Sequence, residues 1–211
     1  MRFLNRSEAG QVLARALEQF KNAPDALVLA LPRGGVPVAY EVARTLNLPL
    51  DVFVVRKLGV PGHEELAMGA IASGGVRALN DSVIRDLDIP ESTIDRVAVR
   101  EEEELRRREH AYRGEKPAPR IAGRTVILVD DGLATGSTMK AAVAALRQQR
   151  PKAIVVAVPL APLETCEDLK SKADEVICAL TPEPFYSVGL WYENFEQTTD
   201  KEVTDLIQKA A

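Results

Sequence analysis

Residues 126–138, Val-Ile-Leu-Val-Asp-Asp-Gly-Leu-Ala-Thr-Gly-Ser-Thr, set two adjacent carboxylates, Asp130 and Asp131, between an apolar run and a loop of small and hydroxyl residues. The order reads as a buried strand, a turn and the opening of a helix. Such a loop binds phosphate because its free backbone N–H groups converge on one point and the helix dipole adds positive potential there. Ala134, Thr135, Gly136, Ser137 and Thr138 form it. The hydroxyls add donors and the glycine allows close backbone approach. Two neighbouring carboxylates repel, so hydroxyl donors or a metal must compensate them. A phosphorylated sugar offers hydroxyls to the acids and a phosphate to the loop. Taken alone, Asp130-Asp131-Gly132 also reads as a simple turn and Thr138 as a helix cap.

Three further segments carry chemistry. Pro32-Arg33-Gly34-Gly35 ends an apolar run, and there Arg33 offers charge while Gly34 and Gly35 offer bare N–H groups; by itself it is also an ordinary strand-to-helix turn. Arg56-Lys57 follows a second apolar run and opens a basic loop, 56–62, where two fixed cations can offset an anionic leaving group or simply face solvent. Residues 181–195 hold Phe185, Tyr186, Trp191, Tyr192 and Phe195, half of the chain's ten aromatics. An aromatic loop after a strand end can stack on a nucleobase or pack as a hydrophobic clamp.

Segment 126–138 resembles the ribose-5-phosphate signature of the type I phosphoribosyltransferases: four apolar residues, two acids, then a Thr-Gly-x-Thr loop. The resemblance implies that Asp130 and Asp131 hold the ribose hydroxyls of 5-phosphoribosyl-1-pyrophosphate, and that residues 134–138 grip its 5-phosphate. It implies Mg²⁺ bound to the ligand, with Asp130 and Asp131 reached indirectly through the ligand or water. Residues 32–35 resemble the pyrophosphate loop of the hypoxanthine–guanine enzymes, so Arg33, Gly34 and Gly35 take that role and a cis peptide falls at Pro32–Arg33. Arg56-Lys57 resembles the Arg-Lys of adenine and orotate enzymes, adding two pyrophosphate cations and implying a homodimer. Residues 59–69 lie where the family has a mobile lid, which includes His63, Glu64 and Glu65, and Glu64 or Glu65 is a candidate to help deprotonate the acceptor. Pro182 to Phe185 resembles the base-reading loop of the hypoxanthine–guanine group, so Phe185, Tyr186 and Trp191 are the base-binding candidates. Pro184 and Ala134 depart from that group's lysine and aspartate, which counts against a 6-oxopurine.

These residues need a frame. Asn5 and Glu8 form a capping box before Val12, Leu13, Ala16, Leu17 and Phe20 at helical spacing; Thr199 and Glu202 form another before a last helix. Apolar strands are expected at 27–31, 50–55, 125–129, 153–158 and 175–179, with helices near 139–147 and 164–172 and a hairpin across Ser73-Gly74-Gly75. Residues 91–113 carry Glu101 to Glu104 and then Arg106 to Arg108, opposite charges three and four apart, as in a long helix with a solvated, self-neutralised face. Alternating strands and helices imply an α/β fold: a doubly wound, mainly parallel sheet flanked by helices, with ligands at the carboxyl ends of the strands. The expected organisation is one domain over 1–211, with a core over about 24–180, a helical insertion over about 81–116 and a small hood and helix over about 181–211.

Lys plus Arg number 27 against 31 Asp plus Glu in 211 residues, a net charge of -4, which argues against nucleic-acid binding through a global basic field. No stretch has the length of a membrane span or the look of a signal peptide. Cys166 and Cys178 have no metal-ligand spacing and read as two half-buried thiols in a reducing cytoplasm. The expected activity is transfer of 5-phosphoribosyl to a nitrogen of a nucleobase or related heterocycle with release of pyrophosphate. The alternative is a regulator or sensor that binds the same ligand with little catalysis.

Overall fold

The computed structural model describes residues 2–210. Asn5 caps helix α1 (Arg6–Ala16), its Oδ1 accepting the Glu8 N–H at 3.0 Å, as the capping box requires. Strand β1 (Ala26–Ala30) leads through the 32–35 turn into α2 (Gly35–Leu46) and then β2 (Leu50–Val52). The strand expected over 50–55 divides here. Phe53 and Val54 turn the chain out of the main sheet, and β3 (Val55–Val60) pairs antiparallel with β4 (His63–Ala72), which pairs with β5 (Val76–Leu79). The basic loop expected over 56–62 is therefore mostly strand. Ser73 reinforces the departure by accepting the Val54 N–H on its hydroxyl at 2.9 Å.

A short α3 (Asp81–Asp86) and the long α4 (Glu91–Arg113) fill the expected insertion. The chain then returns as β6 (Thr125–Val129), α5 (Ser137–Gln148), β7 (Ala153–Leu160), α6 (Leu163–Lys170) and β8 (Glu175–Leu180). Residues 181–199 form a hood with one 3-10 turn, and α7 (Asp200–Lys209) follows, capped by the Thr199 hydroxyl accepting the Glu202 N–H at 3.1 Å.

The five-stranded sheet has the order β2-β1-β6-β7-β8, every pair parallel. The period of two along the strands splits the core into two layers. Val28, Ala30, Ile127, Val129, Val155 and Ala157 face α1, α2, α4 and α7; Leu27, Leu29, Val126, Leu128, Ile154, Val156 and Val158 face α5 and α6. The three central strands, β1, β6 and β7, are buried on both faces and so read as continuous apolar runs rather than alternating ones. The chain segments that follow β1 and β6 emerge side by side at the sheet's carboxyl edge.

Helix α4 departs from the expected solvated role. Its outer face does pair Glu102 with Arg106 and Glu104 with Arg107 and Arg108, and those last two arginines draw the Glu104 carboxyl down to about 2. Its inner face buries Ile94, Val97, Ala98, Leu105 and Tyr112, because apolar residues recur at helical spacing between the charges. Arg113 is buried as well, reaching Asp51 at 3.0 Å, the Val52 carbonyl at 3.1 Å and Glu109 at 3.3 Å.

The expectation of two free thiols is corrected. Packing of α6 on β8 brings Cys166 and Cys178 together, their Cα atoms 6.7 Å apart, and they form a disulfide, with no free cysteine among the described residues. Among those residues no helix is long and apolar enough to cross a membrane.

Arg113→Ala strands Asp51 and an inward carbonyl, and should lower the unfolding free energy by about 3 kcal/mol in urea titrations. Arg106→Ala on the solvent face should cost less than about 0.5 kcal/mol. Similar effects for the two would show that α4 is not anchored through Arg113.

Candidate functional site

The site is built where β1 and β6 end. Asp130 and Asp131 directly follow β6, and the 32–35 turn after β1 lies against them. A Cβ on Gly34 would collide with the Asp131 carboxylate, and one on Gly35 would lie 2.8 Å from the Val129 carbonyl and 2.9 Å from the Asp130 Cα. Only glycine at both positions lets the two turns meet. The Pro32–Arg33 peptide is cis, as the resemblance implied.

The acids sit deep. Asp130 receives the Asp131 backbone N–H on its Oδ1 at 2.8 Å. Burial, and then the charge of Asp131, hold the Asp130 carboxyl well above its ordinary value of 3.8. Burial also raises Asp131, but the hydrogen bond and charge of Arg6 oppose the rise. The Arg6 Nε–H donates to Asp131 Oδ2 at 2.8 Å, and the Tyr192 hydroxyl donates to the Asp131 carbonyl at 2.6 Å. The Tyr192 hydroxyl is itself pushed up, chiefly by burial and then by the Asp131 charge.

The loop after the acids turns at Gly132 and at Gly136, whose φ of +69° ends the turn and opens α5. Thr135, Ser137 and Thr138 stand exposed around it, with the Thr135 and Ser137 hydroxyls 2.9 Å apart. The first N–H groups of α5 face the same opening, and an anion there meets both the hydroxyls and the positive end of the helix. Thr165, at the start of α6, braces the loop from behind by donating its hydroxyl to the Ala134 carbonyl at 2.7 Å.

The structure separates Arg56 from Lys57. Because consecutive side chains of a strand point to opposite faces, β3 turns Arg56 toward α4 and Lys57 toward α5. Arg56 places two N–H groups on Glu101 Oε2, at 2.6 and 2.9 Å. Lys57 lines a cavity of about 120 Å³ that Ser137 and Thr138 also line, and its Nζ lies 3.6 Å from Glu65. The segment expected as a lid is the β3–β4 hairpin, with His63, Glu64 and Glu65 exposed on it. Backbone N–H groups of Glu64 and Gly62 lower the Glu64 carboxyl. Arg33 stands 3.7 Å from Asp200, which accepts the Tyr112 hydroxyl at 2.9 Å.

Of the aromatic candidates, Phe185 and Trp191 pack with Phe3, Leu160, Val188 and Tyr192 in the hood's own cluster, whereas Tyr186 is 78% exposed. Arg6, Tyr192, Thr165 and Asp200 were not legible as site residues. Arg6 lies 125 positions from its partner and reads as the first charge of a surface helix.

A phosphoribosyl transferase domain profile matches residues 5–189. The chain belongs to this family. "Putative phosphoribosyl transferase Rv0571c" of Mycobacterium tuberculosis is 45% identical over 208 residues, 99% of this chain and 47% of that protein. The chain thus spans about half the length of the curated relatives it matches. The crystal structure of TT1426 from Thermus thermophilus matches with a TM-score of 0.88 at 43% identity, covering all of both chains. The purine phosphoribosyltransferase of Pyrococcus horikoshii shares the fold, with a TM-score of 0.50 at 16% identity over 92% of this chain and 91% of its own. In this phosphoribosyl transferase domain the mainly parallel sheet delivers the acid pair and the glycine turn to one edge.

The raised Asp130 makes stability depend on pH. Between 3.8 and its raised value the folded chain keeps a proton that the unfolded chain has released, so stability falls as pH rises through that window. Asp130→Asn keeps an oxygen for the Asp131 N–H but cannot ionise. Its urea midpoint should exceed that of the wild type at about pH 7, and the difference should shrink toward about pH 3. Equal midpoints at neutral pH would contradict the burial penalty.

Proposed function

We propose that the protein transfers a 5-phosphoribosyl group from 5-phosphoribosyl-1-pyrophosphate to a ring nitrogen of a nucleobase or related heterocycle. The carrying observation is the contact of three parts at one sheet edge: the buried acids, the hydroxyl loop opening α5, and the glycine turn lodged against Asp131. Each part suits one portion of the ligand. The loop's N–H groups and hydroxyls take the 5-phosphate, Asp130 and Asp131 take the ribose hydroxyls, and residues 33–35 take the pyrophosphate.

The C1–O bond to pyrophosphate breaks as a C1–N bond to the acceptor forms, and the acceptor's proton leaves to a base or to water. Charge gathers on the departing pyrophosphate while the sugar becomes oxocarbenium-like, so fixed positive groups at that end stabilise the transition state more than the ground state. Arg33 is one such group. Lys57, rather than Arg56, lines the same cavity as Ser137 and Thr138, and is thereby suited to screen the phosphosugar. The hairpin then serves as the cover over the reacting centre, and Tyr186 is the aromatic free to meet an acceptor.

Mg²⁺ fits this donor set. Asp130 and Asp131 are hard oxygen donors that would meet the ion indirectly, through the ligand or water, and no group of three or more His, Cys, Asp or Glu suited to a metal occurs among the described residues. Two carboxylates with phosphate oxygens and water are the usual company of this ion, and when bound it would neutralise pyrophosphate charge. We further propose that the chain works as a homodimer and without nucleic acid or membrane partners.

The test is release of pyrophosphate from phosphoribosyl pyrophosphate with Mg²⁺, across purines, pyrimidines and nicotinate-like acids, against a control without acceptor. Release that depends on one acceptor class establishes the transferase and names the class. Saturable binding with no release from any acceptor supports the sensor. Arg33→Ala should lower kcat by roughly a hundredfold to a thousandfold, the usual cost of a lost transition-state donor. An Arg33→Ala protein with full kcat would remove Arg33 from the mechanism.

A further inference from the structure

Arg6 joins parts of the chain that are remote in sequence. It is the first residue of α1, and its side chain is only 12% exposed. Nε–H reaches Asp131 Oδ2 at 2.8 Å, and Nη1 donates to the Glu196 carbonyl of the hood at 2.7 Å. The guanidinium lies over Phe195, 4.0 Å from the ring centroid, and Phe195 in turn stacks on Tyr192 with centroids 4.9 Å apart. Tyr192 donates its hydroxyl to the Asp131 carbonyl, so both the side chain and the backbone of Asp131 are held by the same small assembly. The residues just before Arg6 strengthen the link: the Phe3 N–H donates to the Trp191 carbonyl, and the N–H groups of Glu193 and Asn194 donate to the Phe3 and Leu4 carbonyls. A planar cation with several donors in fixed directions suits such a junction, because one side chain can meet a carboxylate, a carbonyl and an aromatic face together.

We propose that Arg6 is a positioning residue of the sugar-phosphate site: it fixes the Asp131 carboxylate and clamps the hood segment 191–197 beside it, so the sugar acid and the hood move as one unit. The inference rests on the phosphoribosyl reading for the identity of the ligand. Arg6 touches no reacting atom in this scheme. Its effect reaches the ligand through Asp131, which would otherwise lose its one cationic partner among the described residues.

Two measurements on the full chain test this. Calorimetry would compare phosphoribosyl pyrophosphate with Mg²⁺ against inorganic phosphate, which needs only the loop at 134–138. Hydrogen exchange would follow 191–197 without ligand. Arg6→Ala should weaken phosphoribosyl pyrophosphate by roughly tenfold to a hundredfold, leave inorganic phosphate unchanged and speed exchange at 191–197. Arg6→Lys should restore much of the affinity through its charge on Asp131, yet leave exchange fast, because an ammonium cannot also serve the Glu196 carbonyl and the Phe195 face. Wild-type affinity in Arg6→Ala overturns the role at the sugar acid, and so does an equal loss for both ligands with a lowered Tm, since that is general unfolding. Unchanged exchange at 191–197 in Arg6→Ala overturns the clamp whatever the ligand. A wild-type chain that binds no phosphoribosyl pyrophosphate overturns the phosphoribosyl reading and Arg6's part in sugar binding with it, a result distinct from failure of the variants alone.

Discussion

Two adjacent, part-buried carboxylates at the end of a parallel sheet form the constraint around which the rest is arranged. Charges there lose hydration, and each raises the other's cost of ionising. The surroundings answer with close approach and with donors. Gly34 and Gly35 bring the neighbouring turn against the acids where a single added methyl would collide. Arg6 and Tyr192 come from opposite ends of the chain to hold Asp131. Asp130 accepts a backbone N–H from its neighbour and has no ion pair among the described residues, and so stays the more reluctant of the two to ionise. The pair is thereby made unequal. One carboxylate is fixed by a cation, and the other is left in a poorly solvated place suited to accept from, or donate to, an arriving hydroxyl.

The same need for fixed partners shows in the long α4, which carries both Glu101 and Tyr112. Glu101 holds Arg56, and Tyr112 holds Asp200, which faces Arg33. Arg56 and Arg33 therefore have carboxylate partners that are themselves set by α4. Glu101 is nearly buried, so its ion pair with Arg56 is a fixed part of the fold; Asp200 is half-exposed and stands farther from Arg33, leaving Arg33 freer to turn toward an anion. An arginine already committed to a buried carboxylate is a poor sink for new charge. Between the two, Arg33 has the longer and more exposed ion pair.

What could be read from the chain alone follows from how local each determinant is. The caps at Asn5 and Thr199, the bounds of α4, the apolar strands other than the one expected over 50–55, and the loop at 130–138 are written in neighbouring residues, and they appear where expected. The bend at Phe53-Val54 was not legible, because an apolar run continues smoothly across it and only the Ser73 hydroxyl, 19 positions away, marks where the strand leaves the sheet. The same bend decides that Arg56 and Lys57 face opposite ways. Adjacent charges read as a pair in a loop, but in a strand they are the two residues least able to act together. The disulfide was likewise invisible from spacing, since it depends on how α6 lies against β8.

Arg6 shows why tertiary partners of this kind escape inspection. Its sequence neighbours make it a first-turn charge on an amphipathic helix, where such a residue is ordinarily solvated. Only the return of the chain after β8 gives it a roof, Phe195 and Glu196, and only the end of β6 gives it a counter-ion. A part-buried carboxylate calls for a part-buried cation, and no position within β6 or the loop after it provides one: among residues 125–138 there is neither lysine nor arginine. The compensating charge had to come from elsewhere in the fold, and the N-terminus of α1, pinned to the hood by Phe3 and Leu4, is the element that delivers it.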